Sequence, residues 1–300
     1  MYLGGNEMAT VFKGAATALI TPLDKNGVNY EQLGKLIDAQ IEGGIDGLVI
    51  CGTTGEGATL THAEHEEVLR FAVERIAGRV AAIAGTGSND AARAIELTKY
   101  AGSIGYDAAL VVTPYYNKCT QNGLVKMFTA IADNSTIPLI LYNVPSRTGV
   151  NIKPETYAKL ADHPMIQGIK EANGNISEIA ETARLVGDKL DIYSGNDDQV
   201  VPMLSLGAKG VISVLSNLLP GETSRMCHLY FDGKVEESRR MQLKYLPLIS
   251  ALFCEVNPIP VKAAMNKLGY CENYLRLPLT QMEDEHAEKL FSIMKELGII

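Results

Sequence analysis

Met165-Ile166-Gln167-Gly168-Ile169-Lys170-Glu171-Ala172-Asn173 is a short apolar strand ending in turn residues, with a helical pattern over 176–185 directly after it. The same pairing of a β-rich run with a helix recurs along the chain. The pairs are 14–22 with 30–42, 47–53 with 62–76, 79–87 with 90–103, and 107–114 with 123–132. Then come 137–145 with 154–161, 165–173 with 176–185, 190–194 with 199–206, and 210–215 with 221–231. Eight units of roughly 25 to 30 residues predict eight parallel strands inside a ring of helices, the α/β fold of a (β/α)8 TIM barrel. A doubly wound open sheet is the competing architecture, but it needs a Gly-rich phosphate fingerprint after its first strand. Here that strand runs out into Thr21-Pro22-Leu23-Asp24. The barrel is preferred.

After Gly233 the alternation stops, and 235–255, 260–268 and 282–297 all read as helices. The expected division is therefore a catalytic barrel over 1–233 and a helical extension over 234–300, whose roles are packing and subunit contact. The opening Met-Tyr-Leu-Gly-Gly-Asn-Glu reads as a loose extension, with Met8 as an alternative start.

Composition excludes several classes. A net charge of −8 and a pI near 5.2 argue against a nucleic-acid or anionic-membrane binder. No apolar run is long enough to span a bilayer, and no signal peptide is legible; a reducing cytoplasm is the home expected from the cysteine usage. The cysteines are odd in number at five, scattered, and form no Cys-x-x-Cys pair, which supports neither disulfides nor zinc. His62 and His65 stand three apart without a third ligand, so no metal is expected. Gly85-Thr86-Gly87-Ser88-Asn89 lacks the third glycine of a dinucleotide fingerprint, and no cofactor is expected.

Barrel enzymes carry their chemistry at the C-terminal ends of strands. Reading only those ends collects Gly52-Thr53-Thr54-Gly55-Glu56-Gly57, Thr113-Pro114-Tyr115-Tyr116-Asn117, Tyr142 to Gly149, Lys170, and Ser194-Gly195-Asn196-Asp197-Asp198. The glycine-rich turn offers a backbone nest for an anion, or is simply a flexible loop. The paired tyrosines are structural or functional, and 194–198 also reads as a solvated turn. Lys170 is the informative residue. It either snorkels to solvent or is a desolvated amine that loses its proton and becomes a nucleophile. An amine together with a phenol, threonine hydroxyls, an anion nest and a guanidinium suits Schiff-base chemistry on an α-keto acid.

With those motifs the sequence resembles the dihydrodipicolinate synthase family, in the pyruvate-dependent Schiff-base aldolase superfamily that also holds N-acetylneuraminate lyase. The resemblance runs from about Phe12 into the C-terminal helices, on Gly52 to Glu56, Thr113 to Asn117, Tyr142 to Gly149 and Gly168 to Glu171. It implies that Lys170 forms an imine with pyruvate and that Thr53 and Thr54 bind the pyruvate carboxylate. It implies a proton relay of Tyr142, Thr54 and Tyr116, the last crossing between subunits. Arg147 would bind the carboxylate of aspartate semialdehyde, and Gly195 and Ile212 would line the pyruvate pocket. The implied product is 4-hydroxy-tetrahydrodipicolinate, on the diaminopimelate branch to lysine, and the implied assembly is a homotetramer or homodimer.

Two departures matter. Cys119 follows Lys118 where the family usually has proline. The family's lysine feedback pocket maps to Gly57, Ala58, His62, His65, Asn89, Arg93 and Tyr115. Many lysine-sensitive members carry an acidic residue at the Arg93 position and often serine at Gly57. A guanidinium repels a cationic ligand, so weak or absent feedback is expected. Within the superfamily the alternative is N-acetylneuraminate lyase or a keto-deoxy sugar acid aldolase. Arg147 and the Thr53-Thr54 pair favour the synthase, since lyases commonly show Ser-Thr and lack that arginine. From a different class, a non-catalytic keto-acid sensor would be expected to have lost Lys170, Tyr142 or Thr54, and all three are present.

Overall fold

The structure, a computed structural model, describes residues 10–300, so the reading of residues 1–7 and of Met8 lies outside the described residues. The barrel forms as the alternation predicts. Its strands are β1 (Gly14–Ala18), β4 (Gly47–Ile50), β5 (Ala81–Gly85), β6 (Ala108–Val112), β7 (Leu139–Asn143), β8 (Ile166–Glu171), β9 (Asp191–Ser194) and β10 (Gly210–Ser213). They close as β1-β10-β9-β8-β7-β6-β5-β4, with every pairing parallel. The sequence does not announce a small antiparallel ribbon, β2 (Leu23–Asp24) with β3 (Gly27–Val28). The first apolar run therefore stops being barrel strand at Ala18, and the chain turns back through Gly27 at φ +126°.

The helices are α1 (Tyr30–Glu42), α2 (His62–Ile76), α3 (Ala91–Ser103), α4 (Gln121–Asp133), the single turn α5 (Pro145–Thr148), α6 (Pro154–Leu160), α7 (Ile176–Val186), α8 (Val200–Ser205) and α9 (Pro220–Phe231). Their starts are local chemistry. Asn29, Thr61, Asp90, Thr120 and Asn175 each accept a backbone N–H of the first turn, and Pro145, Pro154 and Pro220 open helices where no N–H is needed. The C-terminal helices are α10 (Val235–Leu252), α11 (Ile259–Lys267) and α12 (Asp284–Glu296). The first of these ends three residues before the expected 255, and the segment 253–258 crosses the barrel mouth.

The strands read as apolar runs because both faces are covered. On β7, Leu139 and Leu141 face the helices, while Ile140 and Tyr142 face the lumen. The lumen core is made of Ala16, Val49, Ile83, Ala108, Ile140, Tyr193 and Ile212. Phe12, just before β1, stacks on Tyr193 with ring centroids 4.2 Å apart and accepts the Tyr193 hydroxyl at its carbonyl, 2.9 Å away. Period-two alternation on β8 puts Ile169 outward and Lys170 inward, and the register sets Lys170 between Tyr142 on β7 and Tyr193 on β9.

Candidate active site

The loop after β4 is held in an uncommon shape. Cys51 at φ +57° and Glu56 at φ +54° both sit in the left-handed region, which side-chain-bearing residues rarely enter. Their neighbours enforce it. A Cβ on Gly57 would lie 2.2 Å from the Cys51 carbonyl oxygen, and the Thr21 hydroxyl donates to the Gly55 carbonyl at 2.7 Å. Beneath the loop the Glu56 carboxylate is buried against the ammonium of Lys262 on α11, and it also accepts the Arg276 N–H at 3.2 Å. The bonds that close the turn run from Glu56 N–H to Thr53 and from Gly57 N–H to Gly52. They leave the N–H groups of Thr53 and Thr54 outside them. The loop is a pinned turn with two threonines at its crest.

Those threonines border a cavity of about 700 Å³ in the barrel mouth. Lys170, Tyr142, Thr53, Thr54, Arg147 and Gly195 line it together, and residues 253–257 of the C-terminal segment close one side. Lys170 is 6% exposed, and its Nζ lies 4.2 Å from the centroid of the Tyr142 ring. Burial pulls its pKa down to about 7, with Arg147 acting in the same direction and Asp197 opposing both. The amine is thus substantially neutral near neutral pH. Tyr142 is pushed up to about 12 by burial, against the lowering influence of Arg147 and of the Thr53 hydroxyl, so it is a protonated phenol that can donate. Gly195 supplies clearance: a Cβ there would stand 3.2 Å from Lys170 Cε and 2.8 Å from the Ala172 methyl.

Other expected residues fall elsewhere. Ile212 is buried in the lumen core and does not border the cavity. Tyr116 is 93% exposed at φ +67°, away from Lys170 of its own chain. Thr54 takes its hydrogen bond from Asn257 Nδ2 at 3.0 Å. Gly57, Ala58, His65, Asn89, Arg93 and Tyr115 line a second cavity of about 540 Å³, which shares Thr53, Tyr142, Arg147 and Asn257 with the first. His62 does not reach it and instead faces Glu66 at 3.2 Å and Glu96 at 3.8 Å. His65 is driven toward the neutral form mainly by burial, with the Arg93 guanidinium adding to the effect.

Several residues escaped the sequence reading. Asp197 is not part of a solvated turn: it is buried, and its Oδ2 accepts the N–H groups of Val214 and Leu215 at 2.9 and 3.0 Å. Glu171, next to Lys170 but facing outward, accepts from Asn143, the Tyr157 hydroxyl and the Asn173 N–H. Burial nevertheless raises its pKa to about 7. Asn257 and Lys262 arrive from the C-terminal helices. Only the tail's proline-rich Asn257-Pro258-Ile259-Pro260 hinted at a fixed loop there.

Fold and site together define a (β/α)8 barrel with a buried lysine amine at the C-terminal end of β8, in no salt bridge among the described residues. The family profile described as the dihydrodipicolinate synthetase family matches residues 11–297, and the chain belongs to that family. It is 52% identical over 291 residues to a 4-hydroxy-tetrahydrodipicolinate synthase of Thermoanaerobacter sp. (strain X514), covering 97% of this chain and 98% of that one. A Clostridium perfringens (strain 13) protein of the same name is 53% identical over 290 residues, covering 97% and 100%. The crystal structure of dihydrodipicolinate synthase from Aquifex aeolicus superposes with a TM-score of 0.94 at 45% identity, covering 96% of this chain and 99% of that one.

Proposed function

We propose that this protein is a Schiff-base-forming lyase that condenses pyruvate with aspartate 4-semialdehyde to 4-hydroxy-tetrahydrodipicolinate, in diaminopimelate and lysine biosynthesis. The observation that carries the reading is the Lys170 amine, buried and in no salt bridge among the described residues, beside Tyr142 in a cavity bordered by two threonines and an arginine. The neutral amine adds to the keto carbon of pyruvate, water leaves, and the protonated imine forms. Loss of a methyl proton gives the enamine, whose carbon forms the new bond to the aldehyde. The lysine is freed when an amine or water takes its place on the imine carbon.

The roles follow from position. Thr53 and Thr54 hold the keto-acid carboxylate on the pinned turn. Tyr142 shuttles the protons with Thr53, whose hydroxyl is its hydrogen-bond partner, in place of the expected Thr54, and Arg147 meets the carboxylate of the semialdehyde as a charge-assisted partner. Gly195 keeps the lysine stem unobstructed, and Ile212 supports the lumen wall below. Tyr116 extends the relay only across subunits, which its exposure supports, so the working form is a homotetramer or homodimer. Free cysteines throughout the described chain suit a reducing, cytoplasmic setting. The alternative lyase reading is disfavoured by Arg147 in the cavity wall.

Borohydride reduction in the presence of pyruvate, followed by peptide mass mapping, should put the three-carbon adduct on Lys170. Turnover should follow with aspartate semialdehyde and not with N-acetylmannosamine. An adduct on another residue defeats the proposal. The second cavity would serve as the regulatory pocket, with Arg93 facing any cationic ligand. Lysine should leave the rate unchanged below the millimolar range, and an inhibition curve with a sub-millimolar midpoint would contradict this.

A further inference from the structure

The register that seats the amine also seats a second pair. Tyr142 lies opposite Lys170 across β7 and β8, and one residue further on Asn143 lies opposite Glu171. Period-two alternation turns the first pair into the lumen and the second away from it. Both members of the outward pair are closed to solvent, Asn143 at 0% and Glu171 at 1% exposure. The Asn143 amide is fully engaged. Its Nδ2 donates to Asn151 Oδ1 at 2.7 Å and to the two Glu171 oxygens at 3.0 and 3.2 Å, while its Oδ1 accepts the Ile152 N–H at 3.0 Å. Residues 151 and 152 are the far end of the loop that starts directly after Asn143. One side chain thus clasps the loop at both ends, and that loop carries α5 with Arg147, which borders both cavities.

An asparagine amide fits its space either way round, and only its partners decide which end is which. Here Glu171 decides. Its Oε1 accepts from Asn143 and from the Asn173 N–H at 2.9 Å, and its Oε2 accepts the Tyr157 hydroxyl at 3.0 Å. With an acceptor on that side, the Asn143 nitrogen faces Glu171 and its oxygen is left for Ile152. We infer that Glu171 is a positioning residue for Arg147: by accepting from Asn143 it orients the clasp that closes the loop 144–151, and so sets the guanidinium at the cavity wall. One strand then serves both substrates. Its inward residue takes the ketone, and the outward neighbour fastens the arginine that meets the semialdehyde. The clasp needs an oxygen at this place more than it needs a charge, because Oε1 alone meets both nitrogen donors.

This inference rests on the proposed aldol chemistry, and its test separates the two. In Glu171→Met, which keeps the length and removes both acceptors, KM for aspartate semialdehyde should rise by about 10- to 100-fold, the scale of a binding group displaced by an ångström. The pyruvate KM and kcat should stay within about 3-fold, and borohydride should still trap pyruvate on Lys170 to the wild-type extent. Glu171→Gln, whose amide oxygen can still accept from Asn143, should hold the semialdehyde KM within about 3-fold of wild type. In an Arg147→Met background, adding Glu171→Met should raise that KM almost no further, because both changes act through the same guanidinium. Should Glu171→Met not fold, Asn143→Ser, which opens the clasp and leaves the carboxylate its other two donors, carries the same expectations. An unchanged semialdehyde KM, an equal loss for both substrates, a Gln variant as impaired as the Met variant, or a fully additive rise in the double variant would each overturn the role. Failure of the wild-type enzyme to trap pyruvate on Lys170 would instead defeat the proposed function.

Discussion

Lys170 and Lys262 are both shut away from solvent, at 6% and 0% exposure, and they do opposite things with the same side chain. Lys262 meets the carboxylate of Glu56, and this buried ion pair ties α11 to the turn that carries Thr53 and Thr54. Burial lowers its pKa as well, with Glu56 opposing the shift through both charge and hydrogen bond. Lys170 has an aromatic ring for a neighbour and no salt bridge among the described residues, so burial is opposed only by the Asp197 charge and the pKa falls to about 7. The difference teaches that depth alone does not make a lysine a reagent. What decides is whether a carboxylate is close enough to keep the ammonium.

The contrast can be broken most severely at the amine itself. Lys170→Ala should lower condensation by more than about 10⁴-fold and abolish pyruvate trapping, with circular dichroism unchanged. If trapping persists on another residue, the two lysines have been assigned to the wrong roles. At the structural lysine, Lys262→Met leaves the Glu56 carboxylate buried and unpaired, which should cost about 3–5 kcal/mol of unfolding free energy in a urea titration. The double variant Glu56→Gln/Lys262→Met should recover much of that loss. A smaller effect belongs to Arg147→Met, where loss of a charged hydrogen-bonding group, worth about 1.5–3 kcal/mol, should raise KM for the semialdehyde roughly 10- to 150-fold while trapping continues.

The mildest change sharpens the comparison through pH. In the proposed chemistry the neutral form of Lys170 is the attacking species, so imine formation should rise with pH, bend near about 7 and then level off. The Asp197 carboxylate favours the ammonium, and Asp197→Asn removes that influence. The bend should therefore move to lower pH, giving faster trapping in acid than the wild type shows. A profile that stays in place would mean that Asp197 does not feel the amine.

The sequence showed the barrel because each strand and its helix are local patterns, and most caps are single residues at predictable places. It showed Lys170, Tyr142, Thr54 and Arg147 because barrel chemistry collects at strand ends, which can be counted off the chain. What stayed hidden depends on partners far apart. Glu56 and Lys262 are separated by 206 positions, and Asn257 and Thr54 by 203, so no spacing rule joins them. Asp197 looked like turn polarity because its acceptor role depends on N–H groups at the end of a different strand. The three-residue overestimate of α10 has a simpler cause: apolar residues in a loop across the mouth keep a helix-like pattern.

The stacked rings of Phe12 and Tyr193 give the barrel a floor. That aromatic packing lies on the side of the lumen away from the cavity that Lys170 lines, so in the proposed chemistry both substrates reach the amine from the mouth. The ketone bonds to the deeper group, so the proposed order seats it before the aldehyde comes in above it.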